Sequence, residues 1–189
     1  MELDIFCRVI DNFGDAGVCW RLAQRMQEGF GWSARLFIDQ PRLIEALAPQ
    51  HRLYAQVYPW EAADGLQPAQ VVLEAFGCDP PSAYIAAMVS KNTPPVWINL
   101  EYFSAEQFAL ECHGLPSPQR NGLMKYFFFP GVHPQSGGLL ASQEKTSTLP
   151  DLPFTQKITA DTLVCLMFCY PYAPVEEFMA DLQSTLQPV

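Results

Sequence analysis

The chain has 189 residues, of which 49% are hydrophobic and 16% charged, and its formal net charge is −9. This length suits one full domain and part of another, and the negative charge argues against a nucleic-acid backbone as the partner. The N-terminus lacks a basic segment followed by a long apolar run, and no apolar stretch reaches the roughly 18 residues of a membrane span, so we expect a cytoplasmic protein.

Strand-like and helical patterns alternate over the first hundred residues. The predicted strands are 3–10, 33–39, 54–60, 69–76 and 95–100, and the predicted helices are 16–30, 41–48 and 81–90. Such alternation predicts an α/β fold with a Rossmann-like parallel sheet and helices on both faces. The crossovers between parallel strands should be right-handed.

The pattern loosens after residue 100. The stretch "SAEQFALEC" predicts a short helix with Ser104 as N-cap and Gln107 at the third helical position. The remaining predictions are a loop at 114–122, a strand at 123–131, a loop or linker at 134–157, a strand at 162–170 and a helix at 174–186. We therefore expect one domain over residues 1–157 and the beginning of a second over 158–189.

The six cysteines are dispersed, at Cys7, Cys19, Cys78, Cys112, Cys165 and Cys169. No CxxC pair occurs, and Cys165 and Cys169 have no second pair that would complete a zinc site. We expect reduced, buried thiols and no bound metal.

The segment "RVIDNFGDAGVCWRLAQRM" places two acids where the first strand hands over to a helix. Ligands of open parallel sheets bind beyond the carboxyl ends of the strands, and Gly14 and Gly17 allow a close backbone approach. A carboxylate at Asp11 or Asp15 could bind a cation or accept a proton. The alternative is that Asp15 caps the helix and Asp11 is a solvated loop acid. "GDAG" is not GxGxxG, so the dinucleotide fingerprint is absent.

Several long motifs carry a family resemblance, namely "DIFCRVIDNFGDAGVCWRLA", "VWINLEYFSAE", "CHGLPSPQ", "KYFFFPG" and "GGLL". Through them the chain resembles the EarP family, the protein-arginine rhamnosyltransferases of translation elongation factor P. The resemblance implies a GT-B glycosyltransferase with two Rossmann-like domains facing a cleft. It implies transfer of L-rhamnose from dTDP-β-L-rhamnose to one arginine of the factor, with inversion and without a metal or other cofactor.

The resemblance also implies roles for individual residues. Asp15 would be the general base and Asp11 would help to hold the arginine, whose guanidinium stays protonated to a pKa above about 12. Asn12, Phe13 and Gly14 would lie beside the sugar, and Phe168 and Tyr170 beside the thymidine. The further substrate-binding candidates are Gly17, where the backbone can approach a ligand, Glu101 and Tyr102 at the cleft rim, His113 as a possible ligand contact, and Gly137 and Gly138 near the donor phosphates.

Alternatives stay open for these candidates. Glu101 could be a surface acid, His113 a structural loop histidine, the glycine pair an ordinary turn, and Phe168 a core residue. The family chain is roughly twice this length, so we expect an N-terminal fragment that is inactive alone. The competing functions are a binding module that recognises elongation factor P and, less favoured, a dinucleotide-dependent enzyme.

Overall fold

The computed structural model of the chain describes residues 1–48, 54–140, 167, 169–170 and 172–186. Two compact units are present, Met1–Gln143 and Glu144–Val189. The predicted domain boundary after residue 157 lies outside the described residues and stays a prediction. Within the described residues, no helix is both long and apolar enough to cross a membrane.

The first unit is built on a seven-stranded sheet. In chain order its elements are β1 (Glu2–Cys7), α1 (Asn12–Phe30), β2 (Ser33–Ile38), α2 (Pro41–Leu47), β3 (Ala55–Pro59), a 3-10 helix (Trp60–Ala63), β4 (Val71–Ala75), α3 (Ser82–Val89), β5 (Val96–Leu100), α4 (Gln107–Cys112), β6 (Pro116–Pro118) and β7 (Met124–Phe128). The second unit contains α5 (Val175–Leu186).

The strands lie in the order β3-β2-β1-β4-β5-β7-β6. All neighbours pair in parallel except β6 and β7. The central register sets Ile5 beside Leu36 on one side and Leu73 on the other. The strand order reverses between β1 and β4, which creates a topological switch point at their carboxyl ends. The predicted Rossmann-like α/β fold is confirmed.

Both faces of the sheet are buried, which explains why its strands are continuous apolar runs. On one face Ile5, Leu36 and Leu73 pack against α1 and α2. The other face is aromatic: Phe6 stacks on Phe37 at 4.9 Å between ring centroids. Helix α3 and the 3-10 helix cover that face.

Helix α1 begins at Asn12, four residues before the predicted start at residue 16. The Gly14 N–H already donates to the Asp11 carbonyl at 2.9 Å, so the chain turns into the helix directly after residue 11. Helix α1 ends as predicted, because Gly31 adopts a left-handed φ of 65° at the C-cap. The predicted N-cap of α4 is wrong: Glu106 is the N-cap, and Gln107 is the first helical residue.

The predicted loop at 114–122 contains β6. The prolines at 116 and 118 made this strand look like a loop in the sequence, because proline is rare within sheets. Proline is nevertheless tolerated on an edge strand, which has only one neighbour. A turn closed by Gly122, with φ of 86°, joins β6 to β7 as a hairpin.

Two further predictions concern the second unit and the thiols. The predicted strand at 162–170 lies mostly outside the described residues, and Met167, Cys169 and Tyr170 are in no helix or strand. The predicted helix at 174–186 is confirmed as α5. The described cysteines are free, but only two, Cys7 and Cys19, are buried and Cys169 is exposed, so the expectation of uniform burial is wrong.

Candidate functional site

The candidate site lies at the switch point of the sheet. The segments that follow β1, β4 and β5 meet at this edge, and they carry Asp11, Phe76 and Tyr102. In open α/β sheets this crevice is where ligands bind.

Asp15 is the buried carboxylate of this site, with 2% of its surface exposed. Its Oδ2 accepts hydrogen bonds from the backbone N–H groups of Ile10 at 2.8 Å and Asp11 at 3.0 Å. Its Oδ1 accepts one from the Tyr102 hydroxyl at 3.2 Å. Asp15 thus fixes the turn that precedes its helix, whereas the N-cap is Asp11, so the alternative that Asp15 caps the helix is wrong. Within the described part of the chain, the donors to Asp15 are neutral groups.

Tyr102 links Asp15 to the loop that follows β4. About half of Tyr102 is exposed, and its ring lies nearly parallel to that of Phe76, 3.9 Å between centroids and 7° between planes. Burial of the phenol, followed by the charge of Asp15 and the hydrogen bond to it, raises the pKa of Tyr102 to about 12. The hydroxyl thus remains a donor at neutral pH.

The loop at 76–79 has an unusual backbone. Phe76, Gly77 and Asp79 have φ values of 58°, 66° and 44°, in the left-handed region. That region costs a residue other than glycine about 1–2 kcal/mol. Contacts beyond the loop hold it in place: the Phe76 N–H donates to the Leu100 carbonyl at 2.7 Å, and the Gly77 N–H donates to Asn99 Oδ1 at 3.0 Å.

A buried ion pair lies beside this loop. Glu74 Oε1 is 2.6 Å from Lys125 Nζ, which also contacts Asp79 at 2.8 Å. Trp97 Nε1 donates to the other Glu74 oxygen at 3.0 Å. Burial raises the pKa of Glu74 to about 7, and Lys125 offsets only part of this effect. The cluster ties β4, β5 and β7 together below the site.

The other candidates of the first turn occupy varied positions. Asp11 is exposed, and Asn12 opens α1 with a side chain outside the described part. Phe13 is half exposed. A Cβ at Gly14 would lie 3.5 Å from Asp11 Oδ2, whereas one at Gly17 would contact α2. Gly14 thus belongs to the acidic turn and Gly17 to the packing of two helices.

Glu101 joins the site through the neighbouring strand. Its backbone N–H donates to the Phe128 carbonyl at 2.9 Å, and its Oε1 accepts from Asn99 Nδ2 at 2.7 Å. Because Asn99 also receives the Gly77 N–H, one amide side chain connects the loops after β4 and β5.

His113 and the glycine pair form a second group, after α4 and β7. His113 Nδ1 accepts from the Phe129 N–H at 3.0 Å. A Cβ on Gly137 would lie 2.4 Å from the Phe128 ring and 2.9 Å from His113 Cε1, so packing requires glycine there. Gly138 has a left-handed φ of 74°. Packing and backbone conformation therefore account for His113, Gly137 and Gly138 without a ligand. Their role in ligand binding stays a prediction.

The donor-side candidates belong to the second unit. Tyr170 is half exposed and stacks on Tyr172, with 5.4 Å between ring centroids and 3° between planes. Phe168 lies outside the described residues. Among the residues that the structure does describe, no three His, Cys, Asp or Glu side chains form a group that could hold a metal ion.

Sequence reasoning missed Phe76, Asn99 and the Glu74–Lys125 pair. A usable signal was present for two of them, because Glu74 and Asn99 are single polar residues within apolar strand runs. Such residues must find partners when the strand is buried. Phe76 gave no such signal, because an aromatic residue at the end of an apolar run is typical of a strand.

Comparison with known proteins gives a consistent result. The chain matches the family model described as "Elongation-Factor P (EF-P) rhamnosyltransferase EarP" over residues 3–189. It is 47% identical over 146 residues to a protein-arginine rhamnosyltransferase of Pseudomonas putida, covering 72% of this chain and 39% of the relative. It is 44% identical to that of Pseudomonas aeruginosa, with the same coverage of 72% and 39%. It is 38% identical to that of Shewanella oneidensis, with 75% and 40% covered. The chain spans about two fifths of the length of these relatives.

Proposed function

Because this chain belongs to the EarP family of elongation factor P rhamnosyltransferases, we propose that it forms the acceptor-binding domain of such an enzyme. The enzyme moves L-rhamnose from dTDP-β-L-rhamnose to an arginine of translation elongation factor P. It has the GT-B arrangement, inverts the anomeric carbon, needs no metal and works in the cytoplasm. The names of the relatives support an arginine acceptor and a rhamnosyl group.

The observation that carries the proposal is the set of partners around Asp15. The ion pairs among the described residues join Asp4 to Arg35, and Lys125 to both Glu74 and Asp79. Asp15 is buried like Asp4 and Glu74, but it is held by two backbone N–H groups and a phenol. A buried carboxylate is stabilised by a cation, and a substrate guanidinium at the switch point would supply one.

In the proposal, the two oxygens of the Asp15 carboxylate have different roles. Oδ2 is fixed by two backbone donors, so it orients the group. The bond from Tyr102 to Oδ1 is 3.2 Å, longer than the usual 2.7–2.8 Å or so between oxygens. Oδ1 is therefore the atom most easily shared with, or given over to, a guanidinium N–H. Asp11, exposed beside the same turn, can accept a second N–H of the planar fork.

The reaction itself is a single displacement. The guanidinium nitrogen forms a bond to the anomeric carbon while the bond from that carbon to the diphosphate oxygen breaks. The nitrogen loses a proton to Asp15 as the bond forms, because a protonated guanidinium has no free electron pair to donate. The leaving electron pair goes to dTDP. One displacement inverts the anomeric centre, so no covalent sugar–enzyme intermediate is needed.

The rest of the proposal concerns the residues that would bind the donor dTDP-β-L-rhamnose. Tyr170, half exposed and stacked on Tyr172, offers a flat aromatic surface suited to thymine. We also propose Phe168 as a contact to the thymine base, a role that the family resemblance implies. Gly137 and Gly138 serve the diphosphate, and Asn12, Phe13 and Gly14 line the side of the sugar. Glu101 and His113 stand at the rim.

The test uses a complete rhamnosyltransferase that carries this segment. Mass spectrometry of elongation factor P should show the gain of one deoxyhexose on an arginine when dTDP-β-L-rhamnose is supplied. Asp15→Asn should reduce kcat by about 100-fold to 10,000-fold, the range of a lost general base, with donor affinity nearly unchanged. Glu45→Gln, an exposed acid on α2, is the matched control. Full turnover by Asp15→Asn would remove Asp15 from the base role.

A second candidate function is recognition of the factor without turnover, favoured by the coverage of about two fifths of the relatives. The 189-residue chain, mixed with elongation factor P and the donor, should then give a binding signal and no gain in mass. Rhamnosylation by the chain itself would contradict this candidate and support the enzyme.

A further inference from the structure

We infer that Phe76 is a positioning residue for Asp15, and that it acts through the ring of Tyr102. The inference rests on the proposed function, because it concerns the carboxylate that would receive the acceptor proton. Phe76 lies on the loop after β4, whereas Tyr102 follows β5 and Asp15 is in α1.

The contacts form a continuous chain from Phe76 to Asp15. The Phe76 ring is 3.9 Å from that of Tyr102 and within 7° of parallel. The Tyr102 hydroxyl in turn donates to Asp15 Oδ1. Among the described residues, the aromatic contact of the half-exposed Tyr102 ring is the stack on Phe76. The stack on Phe76 is thus the contact that sets the direction of its hydroxyl.

The backbone of Phe76 points to the same role. A φ of 58° is unfavourable for phenylalanine and costs glycine nothing. A glycine at this position would keep the turn but would leave Tyr102 without its stacking partner. The Phe76 N–H donates to the Leu100 carbonyl at 2.7 Å, which fixes the loop against β5, two residues before Tyr102. Both ends of the aromatic pair are therefore anchored to the same strand.

Positioning has a direct chemical consequence. Oδ2 of Asp15 is held by the main chain, so rotation of the carboxylate is already restricted. The Tyr102 hydroxyl occupies one lone pair of Oδ1 and leaves the other for a guanidinium N–H. A base displaced by about 1 Å can lose on the order of 100-fold in rate. Loss of the Phe76 ring should therefore reduce kcat rather than donor binding.

The first experiment needs no turnover and uses the 189-residue chain. Tyrosines labelled with 13C at Cζ are titrated by NMR between about pH 9 and 11, and Tyr102→Phe assigns the signal. Tyr102 of the wild type, with a pKa of about 12, should barely titrate in this range. In Phe76→Gly the ring should be freed, and the pKa should fall toward the ordinary value of about 10. An unchanged Tyr102 signal in Phe76→Gly would overturn the inference.

The second experiment measures kinetics in the complete rhamnosyltransferase that carries this segment. Phe76→Gly and Phe76→Leu should each lower kcat about 10-fold while the KM for the donor stays within twofold. Phe76→Tyr, which retains a ring for stacking, should remain within twofold of wild type in kcat. Phe76→Gly relieves the backbone but also removes a ring that packs against the core, so the thermal midpoint of each variant is measured to separate a loss of activity from a loss of folding.

The outcomes separate the two proposals. Unchanged kcat in Phe76→Gly, together with an inactive Asp15→Asn, would overturn the role of Phe76 and leave the proposed function intact. An equal loss in Phe76→Tyr would also overturn it, because the ring is then not what matters. A wild-type enzyme that transfers no rhamnose would overturn the proposed function, and the role of Phe76 with it.

Discussion

The strand β1 and the turn that follows it bury a carboxylate in two different ways. Asp4, within β1, is fully buried and receives both Arg35 Nε and Nη2 at 2.6 Å. The Tyr84 hydroxyl and the Ala69 N–H complete its partners. Asp15, beyond the end of β1, is 2% exposed and is held by two backbone N–H groups and the Tyr102 hydroxyl.

The difference lies in the cation. Asp4 has its own guanidinium from the same chain, in a bidentate geometry that fills both oxygens. Asp15 has neutral donors, at the edge of the sheet where ligands enter. Arg35 neutralises Asp4 permanently, and under the proposed function a substrate arginine would neutralise Asp15 during the reaction. A structural acid and a candidate catalytic acid are thus distinguished by where their counter-charge comes from.

The largest expected effect comes from removing the internal cation. Arg35→Met should lower the free energy of unfolding by about 3–5 kcal/mol, because it leaves Asp4 buried without a counter-charge. Urea unfolding followed by tryptophan fluorescence measures this in the first unit, where all four tryptophans lie. Arg42→Met, at an exposed site on α2, is the control and should stay within about 0.5 kcal/mol. A loss below about 1 kcal/mol in Arg35→Met would contradict the claim that Asp4 depends on Arg35 for its counter-charge.

The next effect concerns Glu74, the other buried acid with an internal cation. Burial raises its pKa from 4.5 to about 7, so the folded state binds more protons than the unfolded state between these values. The contribution of Glu74 therefore becomes less favourable as pH rises from 4.5 to about 7 and is constant above.

Relative to wild type, Glu74→Gln should accordingly gain on the order of 3 kcal/mol across this pH range. Unfolding curves at several pH values measure the difference between the two proteins, so titration of the other acids cancels. Glu111→Gln, an exposed acid on α4, should show no such trend. A difference that runs in the opposite direction would mean that Lys125 dominates the environment of Glu74.

Tyr84 donates a hydrogen bond to Asp4, and Tyr102 donates one to Asp15, so the two tyrosines can be compared directly. Tyr84→Phe should cost about 2 kcal/mol of unfolding free energy, since it removes a buried hydrogen bond to a charged group. The phenol of Tyr84 is fully buried, and burial followed by the charge of Asp4 raises its pKa strongly. Thermal unfolding of Tyr84→Phe and of Tyr126→Phe, whose ring is 40% exposed, gives the comparison.

Asp15→Asn should cost only about 1 kcal/mol in stability, because it weakens the hydrogen bonds from two backbone N–H groups before α1. The side-chain oxygen of asparagine can still accept a backbone N–H, and no internal cation is left unpaired. The same unfolding assay measures this change. A cost as large as that of Arg35→Met would show that Asp15, like Asp4, is chiefly structural, and it would argue against a catalytic role for Asp15.

The smallest effect is expected at Tyr102. Tyr102→Phe should change stability by about 0.5 kcal/mol or less, since the hydroxyl is 3.2 Å from Oδ1 and half of the residue is exposed. In the complete enzyme, kcat should fall by less than in Asp15→Asn, because the carboxylate that we propose as the base remains. Equal losses in the two variants would mean that the phenol, rather than the carboxylate, governs the step.

The sheet was predictable because its strands are long apolar runs separated by helical patterns. Strand β6 was not, because three residues containing two prolines become a strand only through pairing with β7. Such pairing joins residues that the local pattern does not relate. The start of α1 was misplaced for a similar reason, since the turn before it is stabilised by a side chain from within the helix.

The candidate site was predictable in part. Asp11, Asp15 and Tyr102 were found because they follow strands whose carboxyl ends meet at one edge. Phe76 was predicted as the last residue of a strand ending at residue 76, because no local sequence signal predicts a left-handed backbone at a phenylalanine. The link from Gly77 through Asn99 to Glu101 depends on the register of β4 and β5, which the sequence does not specify.

The edge strands have a consequence for handling the protein. The outer strands of the sheet, β6 and β3, both contain proline, at Pro116, Pro118 and Pro59. Pro116 and Pro118 lack the amide hydrogens that an incoming strand would use at the outer side of β6, so edge-to-edge pairing with another copy is discouraged at that border. Replacing Pro116 and Pro118 with threonine should therefore make concentrated samples more prone to fibril growth, as thioflavin fluorescence would report.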